Sequence, residues 1–587
     1  MKTKRKQLKS TENSDPRLRI LALGLVLLAL VMVGRLFYLM VLNHTFYRDL
    51  ANGSHELYAQ LFPRRGSVFI QNTKTHENFP IAMNQDVFLL FADTRKITSD
   101  EEVDEIIEVL SEMFEYEEEK KQELFVALNK RDDPYEPIEQ TITEDQKIEI
   151  EEKELPGLNF TRKQKRFYPE QELAAQVVGF VGQKEDGSPV GRYGVEGYWN
   201  DVLAGNQGFL AGIRTRRGSL ITSAQTQSEQ AQDGSDIYLT IDRTLQFQAC
   251  EALKKGLDEY QAQSATLIML RPQTGEILAM CNVPEFNPNQ YNEVADIRIY
   301  NNNAIFTPYE PGSIFKPLVM AAAINEELVS PNSVFHDTGE KADLCQKPIK
   351  NANGRIYGDQ SMTGVLENSI NTGMVYVAEQ LGKKRLVDYI ENFGLGIQTG
   401  IRLQKEVSGT IDSLAITKGN EVSCYEATAS FGQGITATPL QMVNAFAAIA
   451  NGGKLMQPYV VDKVVNESGK TEKTEPKVVE QVLSSRAASL TSGMLVSVVD
   501  SGHAGKAAVE GYYVAGKTGT AQIAERGVYT KDTNHSFVGF APIDNPEFVL
   551  IIKYEKPQRA FSSETAATTF GEIAKFTLQY FGVAPSR

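Results

Sequence analysis

From Ile20 to Leu42 the chain reads ILALGLVLLALVMVGRLFYLMVL, an apolar run broken only by Arg35. As a helix it extends about 34 Å, enough to cross a bilayer core. Lys2, Lys4, Arg5, Lys6, Lys9, Arg17 and Arg19 precede it, and no small-x-small cleavage site follows. The pattern predicts an uncleaved transmembrane anchor over 20–42, with 1–19 a cytoplasmic tail and everything after Leu42 exported.

Beyond the anchor the apolar spacing changes character twice. Over 43–232 it opens with LFPRRGSVFIQN, a turn leading into an alternating strand. A carboxylate-rich stretch follows in which Val103, Ile106, Ile107, Leu110 and Met113 recur at helical spacing, so its acidic residues form the wet face of helices. A second unit spans 233–587. SDIYLTID reads as a strand, RTLQFQACEALKKGLDEY as an amphipathic helix, and SATLIMLRPQTGEILAMCNV as a hairpin turning at Pro272 to Gly275. Further strands come much later, in GYYVAGKTGTAQ, HSFVGFAPI and FVLIIKYEKP, before a last helix over about 564–580. Between early and late strands lies a helical block, 313–500. One antiparallel sheet assembled from both ends of the unit, with helices packed over it, satisfies this order.

Charge and composition narrow the chemistry. A net charge of −15 argues against a nucleic-acid partner, which demands clustered Lys and Arg. Cys250, Cys281, Cys345 and Cys424 are widely spread, so no zinc ribbon or CxxC centre is expected, and one disulfide or none. The histidines show no HxxxH spacing, which disfavours a metal-dependent hydrolase; no metal or cofactor is expected.

Inside PYEPGSIFKPLVMAAA, Ser313 and Lys316 stand at the front of an apolar helix. Pro317 is tolerated only in a first helical turn, so the helix starts near Ser313. Residues three apart share a face, which brings an amine towards a hydroxyl. A lysine partly stripped of water has a lowered pKa and can act as a base for a serine nucleophile. Ser369 and Asn371 in NSINTG, and Lys517, Thr518, Gly519 and Thr520 in AGKTGTAQ, complete the order S-x-x-K, S-x-N, K-T-G. Serine β-lactamases and penicillin-binding proteins share that combination.

The chain resembles the class B penicillin-binding proteins, membrane-anchored peptidoglycan transpeptidases. The resemblance runs through RRG at 64–66, RFYP at 166–169, GVEGYW at 194–199, LTID at 239–242, PQTGEILAM at 272–280, FGQGITATPLQM at 431–442 and SFVGFAP at 536–542. It implies an α+β fold: one N-terminal transmembrane helix, an elongated α/β pedestal of the dimerisation type, and a transpeptidase domain with a five-stranded antiparallel sheet packed by helices. It implies further that Ser313 attacks the carbonyl between the last two D-alanines of a stem peptide. Lys316 takes its proton, Ser369 relays a proton to the leaving amine, and Asn371 holds the peptide. Lys517, Thr518 and Thr520 suit the substrate's terminal carboxylate, Gly519 lets substrate approach the strand, and the N–H groups of Ser313 and Thr520 form the oxyanion hole. We read Gly432, Gln433 and Gly434 as a loop near the cleft and RRG as a turn beside the membrane.

A β-lactamase or D-Ala-D-Ala carboxypeptidase uses the same three elements, but no carboxylate element for a deacylating water is recognisable. The non-enzyme alternative is a β-lactam sensor or an inactive scaffold; a sensor needs further spans or an output domain, neither expected in the 19 residues before Ile20. The expected ligands are stem peptides and β-lactams. Because 43–232 lacks glycosyltransferase motifs, polymerisation falls to a partner, a membrane-embedded glycosyltransferase of the SEDS family. Gly24 and Gly34 offer small surfaces for helix packing against it. Both cell elongation and division remain open as its role.

Overall fold

The computed structural model describes residues 26, 28–35, 56–61, 63–214, 220–221, 227–525 and 527–587. Residues 1–19 and most of the anchor expected at 20–42 lie outside these. Among the described residues no helix is long and apolar enough to cross a membrane. The chain divides into two compact units, one of 1–63 with 206–232 and one of 64–205 with 233–587. In the first, Gly208–Arg214 pairs antiparallel with Glu56–Leu61 on one side and Gln227–Glu229 on the other.

The second unit begins with β1 (Val68–Gln71) and β2 (Asn78–Ala92). The acidic stretch forms helices α1 (Asp100–Phe114) and α2 (Glu118–Leu128), with Ser99 capping α1 through its hydroxyl. Val103, Ile106, Ile107 and Leu110 are buried at the helical spacing read from the sequence. They share a small core with Phe88, Leu90, Ile138, Ile142 and Ile150, closed by β3 (Glu136–Ile142) and β4 (Leu158–Phe167).

Strand β5 (Asp236–Asp242) leads into α3 (Arg243–Tyr260), whose cap is the Asp242 carboxylate. Strand β5 also pairs in parallel with β1, and both belong to one seven-stranded sheet. That sheet crosses the 232/233 boundary expected from the sequence. Its core residues Val68, Ile70 and Ile81 are continuous with those of the later domain.

The hairpin of β6 (Ser264–Leu270) and β7 (Ile277–Val283) comes next, then α4 (Lys316–Asn325). Strands β8 (Val334–Asp337) and β9 (Gly358–Ser361) form a small ribbon ahead of α5 (Asn371–Asn392). After α6 (Ser485–Asp500) come β10 (Ala515–Glu525), β11 (Val528–Ala541), β12 (Phe548–Glu555) and the closing helix α7 (Ala566–Phe581). The five-stranded sheet runs β7-β6-β12-β11-β10, antiparallel at each pairing. It does join both ends of the domain, and β10 is left at its edge.

Two disulfides replace the one or none expected: Cys250–Cys281 and Cys345–Cys424, with Cα separations of 5.6 and 4.9 Å. Separations of 31 and 79 along the chain concealed this, because α3 lies against β7 and brings its cysteine across.

The RRG, RFYP and GVEGYW stretches meet in one buried ion cluster. Glu196 is fully buried and accepts from Arg65 Nε at 2.8 Å and Arg166 Nε at 2.7 Å. A third bond runs from Arg65 Nη2 to the Glu196 carbonyl at 3.2 Å. RRG is therefore a tie across the second unit, and its three residues form no turn.

Candidate active site

Gly312–Phe315 forms a single 3-10 turn that runs directly into α4, with Pro317 in the first helical turn. The turn is braced from behind by the 431–434 loop, where Gly312 N–H donates to the Gly432 carbonyl at 3.0 Å. Gly432 has φ +80°, and a Cβ there would lie 2.3 Å from the Gly312 oxygen, so only glycine fits. The loop also reaches Glu310, whose carboxylate accepts from Gly434 N–H at 3.0 Å and from the Tyr529 hydroxyl at 3.0 Å.

Helix α4 is buried from Lys316 to Ile324, and Lys316 itself is 0% exposed. Its amine donates to the Ser369 carbonyl at 2.6 Å, to Ser369 Oγ at 3.2 Å and to Asn371 Oδ1 at 2.8 Å. Ser369 Oγ in turn donates to Ser313 Oγ at 3.0 Å. Ser369 adopts φ +54°, an uncommon conformation for a residue with a side chain, and it lies two residues ahead of the start of α5. Four of the residues singled out in the sequence thus form one hydrogen-bonded chain. The amine reaches the Ser313 hydroxyl through Ser369, a longer route than the shared helical face suggested.

The K-T-G stretch lies on β10, an edge strand, opposite Val538, Phe537 and Ser536 of β11. A Cβ on Gly519 would lie 2.6 Å from Ser536 Oγ, 3.0 Å from Ile314 Cγ2 and 3.1 Å from the Pro311 carbonyl. The missing side chain makes room for the turn that carries Ser313. Thr520 is oriented by Ser562, accepting from its N–H at 3.2 Å and donating to its hydroxyl at 3.1 Å. Thr518 is nearly buried, and its carbonyl accepts from the Lys517 amine at 3.3 Å.

Burial, and then the positive charge of Lys517, hold the Lys316 amine well below its ordinary pKa. Burial alone brings Lys517 down to about 7. His503 also falls below the usual imidazole value, through burial first and then through Lys517 and Arg355. A neutral amine beside a bridging hydroxyl can accept a proton, and a second lysine on the adjoining strand can attract an anion.

Three supports were missed by sequence reasoning: Ser562, the Glu310–Tyr529 contact, and an Asp337–Asn351 pair beside Asn371. Nothing in their local sequence distinguishes them from ordinary turn and loop residues.

Known proteins carry the same organisation. The family model described as the penicillin binding protein transpeptidase domain matches residues 265–575, and that of the penicillin-binding protein dimerisation domain matches 61–239. The chain is 31% identical to stage V sporulation protein D of Bacillus subtilis, over 97% of this chain and 86% of that one. It is 28% identical to the peptidoglycan D,D-transpeptidase FtsI homolog of Mesostigma viride, over 95% and 94%. Penicillin-binding protein 3 of Mycobacterium tuberculosis, crystallised with aztreonam, superposes with a TM-score of 0.67 at 26% identity, covering 90% of this chain and 98% of that one. With a dimerisation domain ahead of its transpeptidase domain, the chain belongs to the class B penicillin-binding proteins, the D,D-transpeptidase family.

Proposed function

We propose that this chain cross-links peptidoglycan stem peptides through an acyl-enzyme on Ser313, and that penicillins acylate the same hydroxyl. The observation that carries the reading is the hydrogen-bonded chain from Ser313 through Ser369 to a buried, pKa-depressed Lys316. Rotating the two hydroxyls sets Ser313 O–H onto Ser369 Oγ and Ser369 O–H onto the neutral amine. Ser313 Oγ then attacks the carbonyl between the last two D-alanines while its proton passes by that route to Lys316. The same proton returns through Ser369 to the leaving nitrogen as the C–N bond breaks. D-alanine departs, and an amine of a neighbouring stem peptide displaces Ser313 from the ester. Asn371 holds the peptide beside the scissile bond. Lys517, with the hydroxyls of Thr518 and Thr520, takes the terminal carboxylate. The N–H groups of Ser313 and Thr520 receive the developing oxyanion, a contribution of about 3 kcal/mol per donor.

The same reading assigns 1–19 to the cytoplasm, 20–42 to a single membrane span, 43–232 to a pedestal and 233–587 to an extracytoplasmic catalytic domain. A SEDS-family glycosyltransferase supplies the glycan. The basic flank and apolar run support the span, and the match to a dimerisation domain supports the pedestal.

Incubation with a fluorescent penicillin tests the site. Ser313→Ala abolishes covalent labelling while thermal unfolding stays close to that of the unaltered protein; stoichiometric labelling of that variant would remove Ser313 from the mechanism. Lys316→Ala folds and acylates severely more slowly, and an unaltered rate would move the base elsewhere.

A further inference from the structure

Helix α5 carries Asn371 at its first position, yet the residue ahead of it, Ile370, has no side chain able to cap the exposed N–H groups. The cap comes from elsewhere in the chain. Asn351 Oδ1 accepts from Asn371 N–H at 3.0 Å and from Thr372 N–H at 3.1 Å. The preceding residue holds the other side of the same asparagine, because Asn371 Nδ2 donates to the Lys350 carbonyl at 2.9 Å. With its amide nitrogen fixed there, Asn371 can present only Oδ1 to the Lys316 amine, 2.8 Å away.

The orientation of Asn351 is itself dictated. Its Nδ2 donates to Asp337 Oδ2 at 2.9 Å and to the Arg355 carbonyl at 3.1 Å. A flipped amide would set an oxygen against a carboxylate and an NH2 group against two helix N–H donors. Asp337 is fully buried at the end of β8. It accepts four hydrogen bonds: from Thr372 Oγ1 at 2.6 Å, Gly339 N–H at 3.0 Å, Asn351 Nδ2 at 2.9 Å and Tyr357 N–H at 2.8 Å. Burial pushes its pKa up, but those donors outweigh burial and hold it below the ordinary carboxylate value. A fixed negative charge therefore stands behind the N-terminus of α5, where the helix dipole favours it.

We propose that Asn351 and Asp337 are positioning residues for the acyl-transfer reaction, capping α5 from outside and aiming Asn371 at Lys316. This rests on the catalytic reading given above. Neither side chain needs to touch substrate. Their effect passes through the one helix start that carries two members of the hydrogen-bonded chain, and displacement of a catalytic group by about 1 Å can cost about a hundredfold in rate.

The test compares full-length Asn351→Ala, Asn351→Ser, Asp337→Asn and the exchange Asp337→Asn/Asn351→Asp. Stopped-flow acylation by a fluorescent penicillin gives a rate constant and, separately, the fraction of protein labelled. Each single variant is expected to acylate at least about tenfold more slowly while its labelled fraction stays near that of the unaltered protein. The exchange returns an acceptor to the helix start but sets an oxygen against the Arg355 carbonyl and an NH2 group against the Gly339 or Tyr357 N–H, so it regains only part of the rate lost by Asn351→Ala. Asn351→Ala and Asn351→Ser both leave three donors on Asp337, and a serine hydroxyl is too short to reach the helix, so the two should behave alike. Single variants that keep the normal rate, or that lose labelled fraction alone without rescue by the exchange, would reduce the pair to a structural tie and overturn the proposal. Ser313→Ala run alongside separates the two claims, because labelling of that variant sinks the catalytic reading whatever Asn351 does.

Discussion

On the proposed mechanism, two lysines stripped of water within one site divide its work. Lys316 must be neutral to take a proton, and burial together with the charge of Lys517 holds it well below an ordinary amine. Its neutral fraction grows with pH, so acylation rises as pH climbs through its pKa. Lys517 must be charged to attract a carboxylate, and burial has brought it to about 7. Its charged fraction shrinks as pH rises through that value. His503 stands in the same field, but its depressed pKa leaves it neutral there. The second-order acylation constant for a carboxylate-bearing penicillin is therefore bell-shaped, with an alkaline limb beginning near 7. Lys517→Arg removes that limb, since a guanidinium stays charged across the range, even where the maximal rate is lower. A profile that keeps rising beyond neutrality in the unaltered protein would show that Lys517 retains its proton there.

Arg65, Arg166 and Glu196 join three stretches that are distant in sequence, and their side chains are 12%, 5% and 0% exposed. Removing the one carboxylate leaves two guanidinium groups with little water and no counter-charge. Glu196→Gln is expected to lower apparent stability by about 3–5 kcal/mol in denaturant unfolding. A loss under about 1 kcal/mol would put the cluster with ordinary surface pairs. The cluster also marks the limit of what was legible beforehand. Ser313 and Lys316 could be read because one helical turn relates them, and Pro317 announced where that turn begins. Strands β6, β7 and β12 of the five-stranded sheet could be read because each runs largely apolar over its own length. Contacts between distant elements leave no such local trace. Glu196 carries no mark of its arginines in GVEGYW, Cys345 none of Cys424, and Asn351 sits in an N-A-N-G turn whose local reading is merely a turn.

For the chain as a whole, the shared sheet changes which deletion can test the pedestal. Removing 43–232 would strip β1 from β5 and expose Val68, Ile70 and Ile81, which belong to the core beneath the catalytic domain. The outer lobe is different, since α1, α2 and β3 close a core of their own. Its two ends also meet, with Asp93 N–H donating to the Gly157 carbonyl at 2.8 Å. Replacing 94–156 by a short glycine link therefore spares the strands that support the site. The core closed by 94–156 contains no residue of the candidate site, so penicillin acylation should remain within about twofold of the full chain. If the pedestal contacts a membrane-embedded polymerase, the excision should show itself only in a coupled assay. Full-length protein with lipid II alone should yield no glycan polymer, since no glycosyltransferase motif was found over 43–232. Adding a SEDS-family polymerase should give longer strands and penicillin-sensitive cross-links. The excised protein should acylate normally yet stimulate that polymerase less. Equal stimulation by both proteins would reduce the outer lobe to a spacer, and polymer formed without the added enzyme would remove the need for a partner.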